Sequence, residues 1–271
     1  MNNLLTASLI ILAGVATPGR VSQAIPARQE TPAVGEARIW YLHHSGWAVQ
    51  TAEHFLIFDY WEEDPPQGDR TLESGYIDPR AIADLDVTVF VTHAHGDHFD
   101  PVIFGWEDTI DDLRYIWGWT DLDRRDDLSF GTERRKVELD GMEIWNIHHS
   151  ADGIPESAFL IRVDGITLYH SGDHGNSAGR PMRPDFRANI EYLHSLEMPV
   201  DLCFLPLWGY TGWQVEQLGT RHLFPMHAGG RESRLAIDAQ QLRSDGVTIP
   251  VHVAAGRGAR YHFSEGRIRK E

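Results

Sequence analysis

The stretch THAHGDH at residues 92–98 constrains this chain more than any other part of its sequence. It follows the apolar run DVTVFV at residues 86–91, which is typical of a β-strand buried on both faces. Imidazole and carboxylate groups are ligands that zinc, iron and manganese take in proteins, and three histidines so close together are unusual on an ordinary surface loop. The motif therefore predicts a metal site at the end of a buried strand.

The spacing within the motif indicates two ions rather than one. His93 and His95 stand two residues apart and can converge on one ion, whereas Asp97 and His98 turn toward a neighbouring position. Further ligands are expected at the ends of later strands, in the runs HHS (148–150), YHSGDH (169–174) and FPMH (224–227). A carboxylate such as that of Asp173 can bridge two cations.

Short apolar runs separated by turn residues dominate the chain from about residue 36. ARIWYLHH, WAVQT and HFLIFDY predict an antiparallel meander, and the Asp140-Gly141 and Asp164-Gly165 pairs predict two hairpin turns. Helical periodicity appears in FRANIEYLHSLE and in RESRLAIDAQQLRSDG, between apolar strand patterns. Two strand-rich halves, each followed by helices, predict two packed sheets covered by helices.

The order of these motifs resembles the metallo-β-lactamase fold of metal-dependent hydrolases over roughly residues 36 to 264. The segments HHSGWAV, FLIFDYW, LYHSGD, LPLWGYTGW and FPMHAGG are most similar to the branch that contains the ascorbate-phosphate lactonase type. The resemblance to N-acyl-phosphatidylethanolamine phospholipase D is more distant. The resemblance implies an αββα sandwich, an α/β (α+β) fold, in a single domain spanning residues 36–271.

The resemblance also implies a set of ligands for two ions. The first ion would be held by His93, His95 and His149, the second by Asp97, His98 and His227, with Asp173 bridging them. Asp59, after an early strand, would orient a ligand histidine from behind. Because neighbours on a strand point to opposite faces, we expect His149 to face the first ion and His148 to point into the opposite layer.

Asp97 and His174 are the candidate catalytic residues. His174 stands where relatives often carry threonine, and it could donate a proton to a leaving group, although a solvent-facing loop histidine is an equal alternative. The segment at residues 210–213, YTGW, also departs from the family. His44, in an earlier HHS run, is a candidate for a functional contact, with packing at a strand end as the alternative.

The predicted activity is metal-dependent hydrolysis. Two divalent ions, zinc or else manganese or iron, would activate a water for attack on a small ester, lactone or related bond. A phosphodiesterase of the same fold is one alternative, and an exported metal-binding protein without catalysis is another. Tryptophans at positions 61, 106, 117, 119, 208 and 213 would line a pocket for an apolar or aromatic substrate group, or else pack in the core.

The beginning of the chain is typical of an export signal. The apolar run LLTASLIILAGVA and a small-residue cleavage pattern ending at Ala24 predict a signal peptide over residues 1–24, with an uncleaved anchor as the alternative. The run is short for a membrane span, and no later segment is apolar enough to cross a bilayer. We therefore expect a periplasmic or secreted protein with no membrane span in its mature chain.

The net charge limits the classes of molecule that the protein is expected to bind, and the cysteine content limits its disulfides. The formal net charge of −16 repels polyanions, so nucleic acid is excluded as an expected partner and a small-molecule substrate is favoured. Cys203 is the single cysteine of the sequence, so no disulfide can form within the chain. It lies in the apolar run LCFLPL, which predicts a buried thiol.

Overall fold

Two β-sheets packed face to face form the centre of the protein, in a computed structural model that describes residues 31–120, 122–124, 127–151 and 153–271. The predicted signal peptide, residues 1–24, lies outside the described residues. From Thr31 to Glu271 the chain forms one compact unit. Within the described residues, no helix combines the length and the apolar character needed to cross a membrane.

The strands alternate with turns through most of the chain. In chain order they are β1 (Ala37–His43), β2 (Gly46–Gln50), β3 (His54–Phe58), β4 (Asp86–Val91), β5 (Asp112–Trp117), β6 (Leu128–Ser129), β7 (Lys136–Leu139), β8 (Met142–Ala151), β9 (Ile154–Val163), β10 (Ile166–His170), β11 (Leu202–Pro206), β12 (His222–Met226), β13 (Arg260–Ser264) and β14 (Arg267–Lys270). The α-helices are α1 (Pro184–Ser195), α2 (Thr211–Gln217) and α3 (Glu232–Ser244).

Each sheet combines antiparallel and parallel strands. The eight-stranded sheet has the order β14-β13-β1-β2-β3-β4-β5-β6, and the six-stranded sheet has the order β12-β11-β10-β9-β8-β7. The meander β1-β2-β3 is antiparallel, as predicted, and the Asp140-Gly141 and Asp164-Gly165 pairs make the predicted hairpin turns. Strands β3, β4 and β5 run parallel, as do β10, β11 and β12, so the loops that follow them can meet at one edge.

Three apolar clusters separate the layers. The cluster between the sheets includes Phe58, Phe90 and Phe159. The outer face of the six-stranded sheet packs against the three α-helices, through residues such as Leu193 and Ala239. This arrangement confirms the predicted αββα sandwich.

One outer layer differs in detail from the predicted helical cover. The outer face of the eight-stranded sheet is covered by loops and by the 3-10 helices Leu72–Ser74, Pro79–Ala81 and Pro101–Trp106. These helices are too short for regular α-helical pairing, and Pro79 and Pro101 begin two of them behind aspartate caps. Trp106, Trp117 and Trp119 lie buried in this layer, so they pack in the core rather than line a pocket.

Gly118, directly after β5, allows a close approach of three chain segments. A Cβ atom at this position would lie 1.9 Å from the carbonyl oxygen of Thr92 and 2.9 Å from the backbone nitrogen of Ser157. Those two backbone atoms are hydrogen-bonded to each other, so neither can move aside freely. The segment that begins the metal motif is thus held against β9 only because position 118 has no side chain.

Gly118→Ala is therefore expected to lower the free energy of unfolding by about 1–3 kcal/mol, the usual cost of overpacking, with urea denaturation as the measurement. Gly105→Ala is the matched control, because a Cβ there meets nothing within 4 Å. Equal stability of the two variants would contradict this account of the contact.

Candidate metal centre

His93, His95 and Asp173 form the first group of candidate ligands. His93 and His95 come from the loop after β4, and Asp173 comes from the loop after β10. His93 Nε2 lies 2.9 Å from His95 Nδ1 and 3.8 Å from Asp173 Oδ2. The three ligand atoms all lie within 4.8 Å of one another, which is close enough to surround one ion.

A second group lies directly beside the first and contains His44, Asp97, His98 and His227. Asp173 also faces this group, because its Oδ1 lies 3.3 Å from His98 Nε2 and 3.2 Å from His227 Nε2. One oxygen of Asp173 thus faces the first group and the other faces the second. The structure brings together six of the seven residues predicted as ligands.

Glycine at position 172 shapes the turn that delivers Asp173. Gly172 has φ +52°, and a Cβ there would lie 2.1 Å from Glu156 Oε1 and 2.6 Å from Thr92 Oγ1. Only glycine can combine this left-handed backbone with such close neighbours. The Ser171-Gly172-Asp173 sequence is therefore a packing requirement of the site.

Two histidines of the second group sit in left-handed backbone conformations. His44 has φ +50° in the turn between β1 and β2, and His227 has φ +65° directly after β12. The backbone nitrogen of His227 donates to the carbonyl oxygen of His44 at 2.9 Å, and the two rings lie 4.2 Å apart. This hydrogen bond ties the two sheets together at the site, and strained conformations of this kind are concentrated at functional sites.

Asp59 organises the metal motif from below. Its Oδ1 accepts from the backbone nitrogen of Thr92, and its Oδ2 accepts from Thr92 Oγ1 and lies 2.8 Å from His98 Nδ1. Burial alone would raise the pKa of Asp59, but the adjacent His98 holds it below its usual value. A charged Asp59 fixes Nδ1 of His98 as the donor and leaves Nε2 for the centre, as its predicted orienting role requires.

Asp97 and Asp173 are held in their ionised form. The close contact with His44, whose Nε2 lies 3.2 Å from Asp97 Oδ2, lowers the pKa of Asp97 against the effect of burial. Burial would raise the pKa of Asp173, but contacts with His227 and His98 lower it. Both carboxylates are thus available as anionic ligands.

The polar atoms at the centre fit a cation better than they fit each other. His98 Nε2 and Asp173 Oδ1 are buried, and neither makes a hydrogen bond of acceptable geometry with any described residue. Buried polar atoms usually find a partner, so atoms left without one at the same point indicate a missing ligand. The donors around them are imidazole nitrogens and carboxylate oxygens, which suit zinc, manganese or iron.

The register of β8 corrects the prediction for the doublet His148-His149. Trp145 and Ile147 point into the helix-covered face, and His149 continues that alternation, while His148 lies on the opposite face. The His149 ring contacts the Arg183 guanidinium at 3.1 Å and belongs to neither group of candidate ligands. The structure therefore does not support His149 as a ligand of the first ion, and it reverses the predicted orientations.

His174 does not reach the centre either. It is fully buried, its Nε2 lies 3.1 Å from Asn189 Nδ2, and its ring stacks on Phe186 under α1. Burial, with His149 and Arg183 nearby, holds the pKa of His174 well below its usual value. A neutral, enclosed ring cannot readily donate a proton to a substrate, so the predicted catalytic role of His174 is corrected.

Two residues of the centre were not predicted as parts of it. The sequence left His44 undecided, and the structure places it beside Asp97 and His227. Glu156 is fully buried on β9, where its Oε1 accepts from the backbone nitrogen of Asp173 and lies 3.4 Å from His93 Nδ1. A glutamate within the apolar strand pattern IPESAFLIRV was the available signal for it.

Two tryptophans flank the centre at the surface side. The Trp61 ring lies 5.6 Å from His44, and the Trp208 ring lies 5.1 Å from His227. Trp208 also lines an open cavity of about 860 Å³ together with Leu207, Tyr210, Arg180 and others. The centre is thus bordered by aromatic surface on both sides of the second group.

Comparisons with known proteins agree with this architecture. A family model described as a β-lactamase superfamily domain matches residues 38–227. A UPF0173 metal-dependent hydrolase of Pyrococcus furiosus is 26% identical over 209 residues, which cover 70% of this chain and 84% of that relative. The metallo hydrolase Igni18 of Ignicoccus hospitalis superposes with a TM-score of 0.59 at 20% identity, covering 84% of this chain and 99% of its own.

A more distant structural neighbour carries out a different reaction. The diiron β-hydroxylase CmlA of Streptomyces venezuelae superposes with a TM-score of 0.54 at 12% identity, over 87% of this chain and 55% of its own. The shared fold at this distance therefore determines neither the metal nor the reaction.

Asp59→Asn tests the support beneath the motif. Loss of the charge removes the group that orients His98, so we expect metal affinity to fall 10–100-fold, the usual effect of removing such a partner, measured by competition with a chromogenic chelator. Asp201→Asn is the control, since Asp201 is also a buried acid that accepts a backbone hydrogen bond, from Thr167, but lies outside both groups. Unchanged affinity in Asp59→Asn would contradict the orienting role.

Proposed function

The chain belongs to the β-lactamase superfamily and is a metal-dependent hydrolase, and from this premise we propose that it is an exported enzyme that uses two divalent ions, zinc first among them, to cleave a small ester, lactone or related bond. The observation that carries the proposal is the position of Asp173, whose two oxygens face two adjacent groups of candidate ligands. A carboxylate shared in this way is the usual device for holding two ions side by side.

The residues divide between the two positions by their contacts. His93, His95 and Asp173 would hold the first ion, and Asp97, His98 and His227 would hold the second, with Asp173 shared. When bound, such a pair of ions supplies an activated water and polarises the oxygen of the attacked carbonyl or phosphoryl group. Zinc suits a donor set of imidazole and carboxylate, and manganese and iron accept the same donors.

The protein's own groups keep this centre in one geometry. Asp59 holds His98 in a single tautomer, and Glu156 holds the backbone of Asp173. His44 places its Nε2 3.2 Å from the carboxylate of Asp97, and burial lowers the pKa of His44, which favours the neutral ring at physiological pH. His44 is therefore placed to fix Asp97, which leaves the ionised Asp97 as the remaining candidate of the two predicted catalytic residues.

The surroundings support a substrate with an apolar or aromatic group. Trp61 and Trp208 border the second group, and the cavity beyond Trp208 is lined by apolar residues such as Leu207, Leu242 and Val247. Arg180 and Arg234 also line this cavity and could meet a negative charge. The net charge of −16 continues to favour a small molecule over a nucleic acid. Export rests on the sequence pattern of residues 1–24, which lie outside the described residues.

His95→Ala tests the two-ion hydrolase directly. Loss of this ligand is expected to remove at least one ion per chain relative to the wild type. It should also reduce the rate of hydrolysis by more than about 100-fold, because removing a residue that only hydrogen-bonds a metal ligand already lowers metal affinity or activity 10–100-fold. The measurements are elemental metal analysis of the full chain and rates across a panel of lactones, esters and phosphodiesters. His262→Ala, at a histidine on β13 outside both groups, should change neither quantity.

The same panel separates the alternatives. Turnover of phosphodiesters alone would replace the proposed substrate class by the phosphodiesterase. A wild-type protein that carries its ions but hydrolyses nothing in the panel would indicate the non-catalytic metal-binding alternative. Full metal content and full activity in His95→Ala would refute the centre itself.

Trp208→Ala tests the substrate class. Removing the indole should raise KM for substrates with an apolar or aromatic group several-fold while kcat changes less, because the ring contacts the substrate's body rather than the reacting bond. Trp208→Phe keeps aromatic surface against Gly175 and should retain most of the wild-type KM. Equal effects on KM for small polar and large apolar substrates would contradict this assignment.

A further inference from the structure

A separate cluster of ionisable side chains lies at the other end of β3 from the metal centre. His54 is the first residue of this strand, Glu53 directly precedes it, and Asp59, which supports the centre, follows its last residue. Five residues of strand span about 16 Å at about 3.3 Å per residue, so the two places share no ligand. The third member, Asp164, occupies the hairpin turn between β9 and β10 in the other sheet.

The three side chains converge on one point. Glu53, His54 and Asp164 each offer one ligand atom, and these atoms lie within 4.8 Å of one another. Asp164 is fixed there, because its Oδ2 accepts from Thr51 Oγ1 at 2.6 Å and from the backbone nitrogen of Glu53 at 2.8 Å. The other carboxylate oxygen of Asp164, Oδ1, accepts no such hydrogen bond from a described residue, so it is available to an ion.

His54 supplies an independent sign of a missing ligand. It is only 5% exposed, and its buried Nδ1 makes no hydrogen bond with any described residue. The nearest acidic oxygen is Asp86 Oδ2 at 3.6 Å, which is beyond hydrogen-bond distance. A buried imidazole nitrogen without a partner, among carboxylates, is costly unless something else binds there.

The charges around the cluster are not balanced by the protein. Asp86, the acid nearest to His54, forms an ion pair with Arg114. This arginine also pairs with Asp112 and Asp140, so its charge is already shared among three carboxylates. Among the described residues, neither Glu53 nor Asp164 has an ion-pair partner. The cluster therefore presents negative charge together with an unpartnered ring nitrogen.

We propose that Glu53, His54 and Asp164 form a third metal site, which binds a zinc-like divalent ion and fastens the β2–β3 turn to the β9–β10 turn. One imidazole nitrogen and two carboxylate oxygens are a donor set that zinc takes, with water completing the coordination. The ion joins segments that are about 110 residues apart in the sequence, one from each sheet. Its role is structural, because binding free energy of this kind adds to the stability of the fold.

Asp164→Asn on the full chain tests the site. Asparagine tolerates the left-handed backbone of this turn, φ +45°, and its amide oxygen can still accept the two hydrogen bonds. After equilibration with zinc in chelator-treated buffer, elemental analysis should find one ion fewer per chain than in the wild type. The loss should add to that of His95→Ala, and zinc should raise the melting temperature of Asp164→Asn less than that of the wild type.

Asp140→Asn is the matched control, because Asp140 occupies an equivalent Asp-Gly turn with φ +46° and loses the same charge outside the cluster. It should keep the wild-type metal content. The proposal is overturned if Asp164→Asn binds as many ions as the wild type, or if Asp140→Asn loses an ion as well. His54→Gln gives a second measurement of the same loss.

Discussion

The buried carboxylate of Asp59 makes the interaction on which the candidate metal centre depends. A buried charge is costly unless it is paired and hydrogen-bonded. The carboxylate of Asp59 meets that requirement through its contacts with Thr92 and His98. Those partners belong to the loop after β4, so satisfying one buried charge also fixes the loop that carries four candidate ligands. The same contacts therefore offset the free-energy cost of burying Asp59 and fix the geometry of the motif.

The rest of the centre is assembled from the second sheet against this loop. Ser157 of β9 bonds to Thr92, Glu156 of the same strand holds Asp173, and His227 bonds to the turn that carries His44. The first and third of these contacts cross from one sheet to the other at the edge where the parallel strands end, and the second joins β9 to the loop after β10 within the six-stranded sheet. The absence of side chains at Gly118 and Gly172 lets these segments approach closely enough to share Asp173 between two groups.

Much of this could be predicted from local patterns, and the errors have a common cause. The metal motif, the hairpin turns and the long helices are set by short-range spacing, so they could be predicted from sequence. The orientation of His148 and His149 depends on the register of β8 against β9, in which a shift of one residue exchanges the two faces. His174 was predicted to be catalytic because it directly follows Asp173 in the sequence. The loop instead turns its ring under α1, against Phe186.

The amino-acid sequence by itself determined the two-sheet architecture through strand periodicity and four of the candidate ligands through a motif within one loop. The resemblance of its motifs implied the family and two further candidates, Asp173 and His227. Tertiary structure alone decided that His44 joins the second group, that Glu156 lies beneath Asp173 and that a distant cluster forms at Glu53, His54 and Asp164. Each of these groups joins residues from separate strands or turns that meet only in the folded chain, so no local pattern could place them together.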